Sequence, residues 1–312
     1  MGFKKMNALG KKREPFLFIT DFKAENVAVI PLNELEKEDI EYSIDENYKF
    51  TPHPHKLRLE APDFEKYKEK FDAVIEKIKA GETYLLNLTQ ESRLKSSLSL
   101  KEMYTLANAH YKLRYKEKFI CFSPEKFIQI EGESIATFPM KGTIDASLEN
   151  ARETILANEK EMAEHVMIVD LLRNDLSIVA SKVRVDAFRY ITKIDAGEKE
   201  LLQVSSKISA KLDTNWHKKV GDILRSLLPA GSISGTPKKS TLKIIEDVEG
   251  YERGFFSGVF GVYDGKSLDS GVMIRFIEKR GTDLFYKSGG GITLESSVEN
   301  EYQELQDKIY LP

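Results

Sequence analysis

Segments typical of strands and of helices mix along this chain without a regular alternation. A strict alternation of strand and helix predicts a parallel sheet wound on both sides, whereas scattered strands predict a mixed α+β fold. The strand-like segments, rich in apolar residues, are 16–20, 26–30, 83–89, 119–130 and 134–138. The segments predicted to be helices, with apolar residues three and four positions apart, are 64–80, 100–115, 148–179 and 298–309. We therefore predict a mixed α+β fold.

The helix predicted between Asp63 and Gly81 has the clearest boundaries. An aspartate directly before the first apolar residue is a typical N-cap, and a glycine just after the last one is typical of a helix end. By contrast, the stretch 42–58 is polar and contains Pro52 and Pro54, which predicts a loop.

Length and patterning bear on the number of domains. A chain of 312 residues has the length of two average domains. No internal repeat, low-complexity tract or Gly/Ser linker marks a boundary, however, and we expect one domain over residues 1–312. Its motif-bearing core spans about 64–312, and residues 1–60 are expected to form short strands and a loop.

The charge balance excludes several classes of protein. The chain has 47 Lys and Arg against 50 Asp and Glu, a net charge of −3, whereas nucleic-acid and anionic-membrane binders carry a clear basic excess. No apolar run reaches the length of about 18 residues that a membrane span needs, and the basic segment 1–13 lacks the apolar core of a secretory signal. The single cysteine, Cys121, excludes an internal disulfide and fits a reducing compartment. We therefore expect a cytoplasmic protein.

Two Glu-x-x-Glu pairs stand out, Glu161 with Glu164 and Glu301 with Glu304. Side chains three residues apart on a helix point in the same direction, so each pair places two negative charges close together. A solvated helix face is one explanation. The first pair leads into the apolar run 165–169, however, and acids at the edge of a core are more often paired or metal-bound. Mg²⁺ takes carboxylate oxygens and waters, so one glutamate of each pair could bind it directly and the other two through water.

Two glycine-rich stretches are candidate anion-binding segments. Residues 229–238 hold Ser232 and Ser234 among glycines and precede a helix predicted to begin near Pro237. Free amides at a helix N-terminus suit a carboxylate or a phosphate, although the spacing is not that of a Walker A loop. The stretch 288–292 has three consecutive glycines, which let backbone N–H groups approach a ligand closely. A tight turn is the alternative explanation for each.

A series of further motifs connects these features. In chain order they are GETYLLNLT (81–89), SPEKF (123–127), PMKGT (139–143), AEHVMIVDLLRND (163–175), the loop 231–238, Ile274-Arg275, and GGGI (289–292) followed by EYQE (301–304) and Lys308. In these motifs and their order the chain resembles the chorismate-utilising enzymes and, within them, component I of the aminodeoxychorismate (para-aminobenzoate) synthases. The resemblance covers the chain from about residue 64 to its end.

The resemblance implies a fold, a cofactor and a set of substrate contacts. The fold is that of anthranilate synthase component I, with sheets packed together and helices outside, in a version short at its N-terminus. The cofactor is Mg²⁺, bound directly by Glu164 and Glu304 and through water by Glu161 and Glu301, where it acts as a Lewis acid on the ring carboxylate of chorismate. The residues implied to bind the substrate are Arg275, Lys308, Gly289, Gly290, Gly291, Ser232, Ser234 and Thr143.

Lys141 distinguishes the subfamilies. The matching motif of aminodeoxychorismate synthases reads P-I-K-G-T, and anthranilate synthases usually have alanine in place of the lysine. In the implied mechanism the amine of Lys141 attacks C2 of chorismate as the C4 hydroxyl leaves, protonated by Glu125. Ammonia then adds at C4 and expels the lysine. The product is 4-amino-4-deoxychorismate, a precursor of para-aminobenzoate and folate.

Three other residues refine this implied activity. Isochorismate and salicylate synthases carry a lysine base where this chain has Leu85, and Gln203 replaces a histidine that anthranilate synthases use in pyruvate elimination. Cys121 lies in an apolar pattern and not in the G-x-C-x-G elbow of a glutaminase. Ammonia is therefore expected from a separate glutamine amidotransferase subunit, component II, or from free ammonia at high concentration. The short N-terminus makes feedback by tryptophan unexpected.

Two alternatives stay open. Anthranilate synthase component I shares the fold and the substrate but aminates C2 and releases pyruvate. A catalytically silent chorismate-binding subunit is the other, although such a protein has no reason to keep Lys141, Glu125, Arg275 and the four glutamates. We therefore expect an enzyme that acts on chorismate.

Overall fold

The structure is a computed structural model that describes residues 1–45, 57–60, 62–195 and 200–312. Its α-helices are α1 (Gly2–Lys12), α2 (Phe64–Lys79), α3 (Leu100–Leu106), α4 (Ala151–Ala157), α5 (Glu159–Val179), α6 (Val220–Leu227), α7 (Lys238–Glu249) and α8 (Val298–Asp307). None of the described helices is both long enough and apolar enough to cross a membrane.

The strands in the described part of the chain, numbered in chain order, pair only in antiparallel fashion. They are β1 (Phe16–Thr20), β2 (Val27–Pro31), β3 (Ile40–Ile44), β4 (Arg58–Glu60), β5 (Leu85–Lys95), β6 (Tyr111–Tyr115), β7 (Phe119–Ser123), β8 (Lys126–Glu131), β9 (Ser134–Thr137), β10 (Met140–Asp145), β11 (Ser181–Asp195), β12 (Glu200–Lys211), β13 (Gly235–Thr236), β14 (Val259–Tyr263), β15 (Leu268–Val272), β16 (Phe276–Arg280) and β17 (Asp283–Ile292).

The described residues divide into two compact units, each assembled from three stretches of the chain. The first unit consists of Met1–Leu35, Glu125–Ser232 and Ser257–Val272. The second unit consists of Glu36–Pro124, Ile233–Phe256 and Met273–Pro312. The expectation of one domain over residues 1–312 stays a prediction.

One antiparallel sheet forms the core of the first unit. Nine described strands build it in the order β10-β12-β9-β8-β15-β14-β1-β2, with β11 paired to β12. Strand β1 lies between β14 and β2, and all of its residues are buried. Helix α5 packs on β10, β11 and β12. The helix that carries the first glutamate pair therefore lies against the strand that carries Lys141.

A second antiparallel sheet forms the core of the second unit. Eight described strands build it in the order β13-β5-β17-β16-β7-β6-β3, with β4 paired to β5. Helix α7 packs on β5, α8 packs on β17, and α2 packs on both helices. Strand β17 contains the three consecutive glycines and pairs with β5 along its length. Helices and antiparallel sheets together confirm the predicted mixed α+β fold.

Helix α2 confirms the predicted boundaries. The carboxylate of Asp63 accepts hydrogen bonds from the backbone N–H groups of Glu65 and Lys66, at 3.0 and 3.4 Å. Gly81 follows the helix with φ 73°, a conformation that glycine adopts without steric cost. The predictions of β1 and of helices near 237 and 298 are confirmed as well.

The helix predicted over 100–115 is wrong beyond Leu106. Ser99 and Glu102 form a capping box that starts α3. Residues Tyr111–Tyr115 instead form β6, between β7 and β3. Their pattern explains the difference, because Tyr111 and Leu113 are buried and alternate with more polar residues, which is the period of a strand.

Two other long segments are each divided in the structure. The helix predicted over 148–179 consists of α4 and α5, because the backbone of Asn158 between them is extended and its side chain caps α5. The strand predicted over 119–130 is interrupted at Pro124, which lacks the N–H group that a sheet ladder needs. Its two parts belong to different sheets, β7 in the second unit and β8 in the first.

The first 60 residues hold a helix, α1, that the sequence pattern does not predict. Helix α1 packs on α6 and on the turn before it. A Cβ atom at Gly10 would lie 2.1 Å from the carbonyl oxygen of His217, and one at Gly221 would lie 2.0 Å from that of Phe3. The glycines therefore serve close packing, although in sequence they disfavour a helix. Of the loop predicted over 42–58, residues 42–44 belong to β3, and 46–56 lie outside the described residues.

Candidate active site

Lys141 lies on a bulge of β10 in the first unit. Met140 is opposite Ser205 of β12, but Thr143 is opposite Gln203, so the register shifts between the two pairs. Gly142 has φ 81°, which a bulge next to an active site commonly needs. The lysine of the PMKGT motif therefore stands where the strand departs from regular pairing.

The carboxylate of Glu164 lies directly beside Lys141. Lys141 Nζ donates a hydrogen bond to Glu164 Oε2 at 2.9 Å, and Lys160 Nζ lies 3.9 Å from the other oxygen. Only 6% of Glu164 is exposed, and a carboxylate so buried needs a cation nearby. A Cβ atom at Gly142 would lie 3.4 Å from Glu161 Oε2, so both members of the first glutamate pair lie close to the bulge.

A buried histidine next to Glu164 is a site residue that the sequence did not single out. His165 Nε2 and Ser206 Oγ are 2.6 Å apart, and Ser206 Oγ also accepts a hydrogen bond from the backbone N–H of Arg189. Burial, together with the charges of Arg189 and Lys141, lowers the pKa of His165 to about 4. The ring is therefore neutral near pH 7. Its only sequence signal is a histidine at the start of an apolar helical run.

Glu125 is the first residue after Pro124, where the chain enters the first unit. The hydroxyl of Ser232 donates a hydrogen bond to Glu125 Oε1, and the backbone carbonyl of Glu125 accepts one from Val272 N–H at 3.0 Å. These two contacts fix both the backbone and the carboxyl group of Glu125. Ser232 thus touches the predicted acid.

The glycine strand of the second unit lies beside Lys308 and the second glutamate pair. Lys308 Nζ donates a hydrogen bond to the carbonyl oxygen of Gly289 at 2.9 Å and pairs with Glu304 Oε1 at 2.7 Å. A Cβ atom at Gly290 would lie 3.0 Å from Glu301 Oε2, so a side chain there would crowd the glutamate. Ser296 Oγ donates to the other oxygen of Glu301 at 2.7 Å. The sequence did not single out Ser296.

Arg275 also lies in the second unit, between β15 and β16. Its guanidinium carbon is 4.8 Å from the centre of the Tyr310 ring, a stacking contact that orients the plane of the group. Its backbone has φ 51°, and its carbonyl oxygen accepts a hydrogen bond from Phe122 N–H. Tyr310 is a further residue that the motifs did not indicate.

The predicted site residues are therefore shared between the two units. The first unit holds Glu125, Lys141, Thr143, Glu161, Glu164 and Ser232. The second unit holds Ser234, Arg275, Gly289, Gly290, Gly291, Glu301, Glu304 and Lys308. Thr143 is exposed, and Ser234 is buried with its carbonyl accepting from Asn87 N–H.

The two glutamate pairs have the oxygen donors that a hard cation such as Mg²⁺ prefers. Neither unit gathers three or more His, Cys, Asp or Glu side chains around one point in its described residues. Each unit holds one pair, and one glutamate of each pair has an ammonium group beside it: Glu164 is paired with Lys141 and Glu304 with Lys308. The donor chemistry fits Mg²⁺.

Two residues outside these clusters bear on the reaction type. Leu85, which the resemblance aligns with the lysine base of isochorismate synthases, is the first residue of β5 and is only 3% exposed. Cys121 in β7 is fully buried, and burial raises the pKa of its thiol far above the usual range. A thiol of this kind is inert as a nucleophile.

The sequence matches the family model described as chorismate binding enzyme over residues 17–311. It is 44% identical over 310 residues to a protein of Haemophilus influenzae named "Uncharacterized PabA-like protein", covering 98% of this chain and 94% of that one. It is 32% identical over 260 residues to aminodeoxychorismate synthase component 1 of Escherichia coli, covering 78% of this chain and 56% of that one. Identity to anthranilate synthase component 1 of Archaeoglobus fulgidus is also 32%, over 78% of this chain and 61% of that one.

Solved structures confirm the fold. MenF, the menaquinone-specific isochorismate synthase of Escherichia coli, superposes with a TM-score of 0.74 at 16% identity, covering 98% of this chain and 79% of that one. Anthranilate synthase component I of Streptococcus pneumoniae gives a TM-score of 0.68 at 24% identity, covering 83% of this chain and 60% of that one. With the family model matched from residue 17 to residue 311, the chain belongs to the chorismate binding enzymes.

Proposed function

We propose that this chain is component I of aminodeoxychorismate synthase and converts chorismate and ammonia to 4-amino-4-deoxychorismate. The observation that carries the proposal is Lys141, an amine on a strand bulge 2.9 Å from the carboxylate of Glu164. The proposed reaction needs a nitrogen nucleophile in this motif, and anthranilate synthases usually lack it. The similarity to aminodeoxychorismate synthase component 1 of Escherichia coli supports the same assignment.

In this proposal the two carboxylates of chorismate are bound by residues of the second unit. Arg275 suits one of them, because a guanidinium forms two parallel hydrogen bonds to a carboxylate and stacking on Tyr310 holds its plane. Lys308 and the backbone N–H groups of Gly289–Gly291 provide further donors. The hydroxyl groups of Ser232, Ser234 and Thr143 are proposed as additional contacts to the substrate.

The chemical steps follow from Lys141 and Glu125. The neutral amine of Lys141 attacks C2, both conjugated double bonds of the ring shift by one bond toward C4, and the C4–O bond breaks while Glu125 gives its proton to the departing hydroxyl. Ammonia then attacks C4, the two double bonds return to their first positions, and the C2–N bond breaks, which returns the amine to Lys141. The new nitrogen at C4 releases one proton, which restores the acid form of Glu125. In the overall reaction an amino group from ammonia replaces the C4 hydroxyl group, and water is released. The hydrogen bond from Ser232 holds the Glu125 carboxyl group in place.

We also propose Mg²⁺ as the cofactor, with Glu164 and Glu304 as direct ligands and Glu161 and Glu301 as ligands through water. When bound, it supplies Lewis-acid polarisation of the ring carboxylate. The carboxylate donors support this assignment.

Ammonia is proposed to come from a glutamine amidotransferase subunit, component II. Glutamine hydrolysis of this type needs a reactive cysteine, and the chain has one cysteine, Cys121, which is fully buried. The lone reduced thiol also fits a cytoplasmic location. The product would feed the synthesis of para-aminobenzoate and folate.

Anthranilate synthase component I is the second candidate, because a relative with that name is as similar in sequence as the aminodeoxychorismate synthase. The product separates the two activities. The purified chain is incubated with chorismate, Mg²⁺ and an ammonium salt, and aminodeoxychorismate lyase is then added. We expect para-aminobenzoate only after the lyase is present. Fluorescent anthranilate before its addition would overturn the proposal, and no turnover at all would favour a silent chorismate-binding subunit.

A further inference from the structure

Ser206, in the middle of β12, makes hydrogen bonds to three other segments of the first unit. Its backbone N–H donates to the carbonyl oxygen of Pro139 at 2.9 Å. Its hydroxyl contacts His165 Nε2 at 2.6 Å and accepts from the backbone N–H of Arg189 at 2.9 Å. Ser206 and His165 are both fully buried. One serine therefore connects the start of β10, helix α5 and strand β11.

Two of these connections lead directly to Lys141, the proposed nucleophile, and to its ion-pair partner Glu164. Pro139 is two residues before Lys141, in the segment that leads into the bulge of β10. His165 follows Glu164 on α5. The bonds of Ser206 therefore tie together the backbone that carries the amine and the helix that carries its carboxylate partner. Lys141 Nζ and Glu164 Oε2 are 2.9 Å apart, a distance that a small shift of α5 against β10 would lengthen.

The hydrogen bonds of Ser206 restrain both the serine and the ring of His165. The hydroxyl of Ser206 contacts both His165 Nε2 and the backbone N–H of Arg189. Among the described residues, none forms a hydrogen bond with His165 Nδ1, so Ser206 makes the only hydrogen bond that the structure describes for this buried ring. A buried polar group that loses its partner pays the full cost of desolvation, which holds the ring against the serine.

We propose that Ser206 and His165 are positioning residues that set the distance between Lys141 and Glu164. This inference rests on the function proposed above for Lys141. A displacement of about 1 Å in a catalytic group lowers a rate by about 10²-fold, so loosening this connection lowers turnover without removing any group that touches the substrate.

The first test measures how strongly Lys141 is held by Glu164, and it does not depend on turnover. The amine of Lys141 is acetylated with a limiting amount of acetic anhydride, and its modification rate is followed by mass spectrometry of the peptide that contains it. Ser206→Ala is expected to raise this rate at least about threefold, because an amine released from its carboxylate is more accessible. Ser209→Ala removes a buried hydroxyl from the same strand, away from β10, and should leave the rate of Lys141 unchanged.

The second test separates positioning from a general loss of structure. Ser206→Ala and His165→Leu are expected to lower kcat at least about tenfold while KM for chorismate stays within about threefold. His165→Gln, whose amide can still reach the serine hydroxyl, should recover most of the lost kcat. Ser209→Ala should keep the wild-type kcat. Melting temperatures are measured for every variant, and if Ser206→Ala does not fold, the two His165 variants decide the question.

The outcomes separate this inference from the proposed function. A wild-type chain that does not aminate chorismate at C4 overturns the function and, with it, the role of Ser206. If the wild type is active and Ser206→Ala has the same kcat and the same rate of Lys141 acetylation, only the positioning role is overturned. The positioning role is also overturned if Ser206→Ala and Ser209→Ala lose kcat equally, or if His165→Gln and His165→Leu have the same kcat.

Discussion

At the scale of single residues, two features of the structure hold Lys141, the proposed nucleophile, in place. It is held in one place by the bulge of β10, because Gly142 adopts a backbone conformation that other residues avoid. Its ammonium group is balanced by the buried carboxylate of Glu164. In the proposed reaction Lys141 must lose this extra proton before it attacks, because only the neutral amine is nucleophilic.

Replacing Lys141 by alanine is expected to remove amination at C4 while chorismate still binds. Without the amine the covalent route is closed, and we expect turnover to fall by at least about 10³-fold, measured with the lyase-coupled assay. Calorimetric titration should give a Kd for chorismate within about tenfold of wild type. Lys160→Ala is the matched control, since Lys160 is also near Glu164 but at 3.9 Å, and it should keep at least about a third of the activity. A Lys141→Ala variant with full turnover would rule out the covalent step.

At the scale of elements, a buried ion pair joins the end of α7 to the strands of the second unit. Glu249 and Arg253 are 1% and 2% exposed and form two contacts, at 2.6 and 2.8 Å. Glu249 also accepts hydrogen bonds from the backbone and hydroxyl of Thr89 in β5. Arg253 donates to the carbonyl oxygens of Ile233 and Asn87. The pair thus holds the segment before Ser234 against β5, next to the glycine strand.

Breaking this pair should destabilise the protein strongly. Arg253→Met leaves the carboxylate of Glu249 buried without its cation, and we expect the free energy of unfolding to fall by about 3–5 kcal/mol, measured by urea denaturation. Arg93→Met removes an exposed ion pair with Asp283 in the same unit and should cost less than about 1 kcal/mol. Equal losses in the two variants would contradict the role assigned to burial.

The elements also show which parts of this fold can be predicted from sequence. Helix α2 is predictable because its N-cap, apolar spacing and terminal glycine are all local signals. The helix predicted over residues 111–115 is wrong because these residues form a strand that pairs with β7 and with β3, and β3 lies far earlier in the chain. The roles of Lys141, Glu125 and the glutamates came from the family resemblance. The contact between His165 and Ser206 joins residues 41 positions apart, and no local pattern signals it.

At the scale of the whole molecule, the proposed metal is expected to matter for turnover and not for folding. Each glutamate pair is already balanced by a lysine, Lys141 in one unit and Lys308 in the other. Removing Mg²⁺ with EDTA should therefore abolish activity and change the melting temperature by less than about 2 °C, measured by circular dichroism. Adding back Mg²⁺ should restore the activity. A large fall in the melting temperature would indicate a structural metal instead.

The stability of the protein should fall as the pH is lowered below neutrality. His217 is buried beside Trp216 and Tyr263, and burial, helped by the charge of Arg13 and opposed by that of Asp264, lowers its pKa from 6.5 to about 4. Between these two values the unfolded chain binds a proton that the folded chain does not. The free energy of unfolding therefore decreases as pH falls through this window, by up to about 3 kcal/mol from this group.

Urea denaturation at pH 7, 6 and 5 measures this loss. His217→Asn keeps a polar partner for the hydroxyl of Tyr263 but cannot titrate, and its free energy of unfolding should change less with pH than that of the wild type. Equal pH dependence in the two proteins would show that His217 contributes nothing to it.

The interleaving of the two units has a consequence for the order in which the chain can fold as it is synthesised. Strand β1 of the first unit is bonded to β14, through residues 239 positions apart, and β14 and β15 occupy the middle of their sheet. That sheet cannot close until residue 272 has left the ribosome, by which time all but the last segment of the second unit has been made. Neither unit can be completed early on the ribosome, and β1 must stay unpaired with β14 for most of translation.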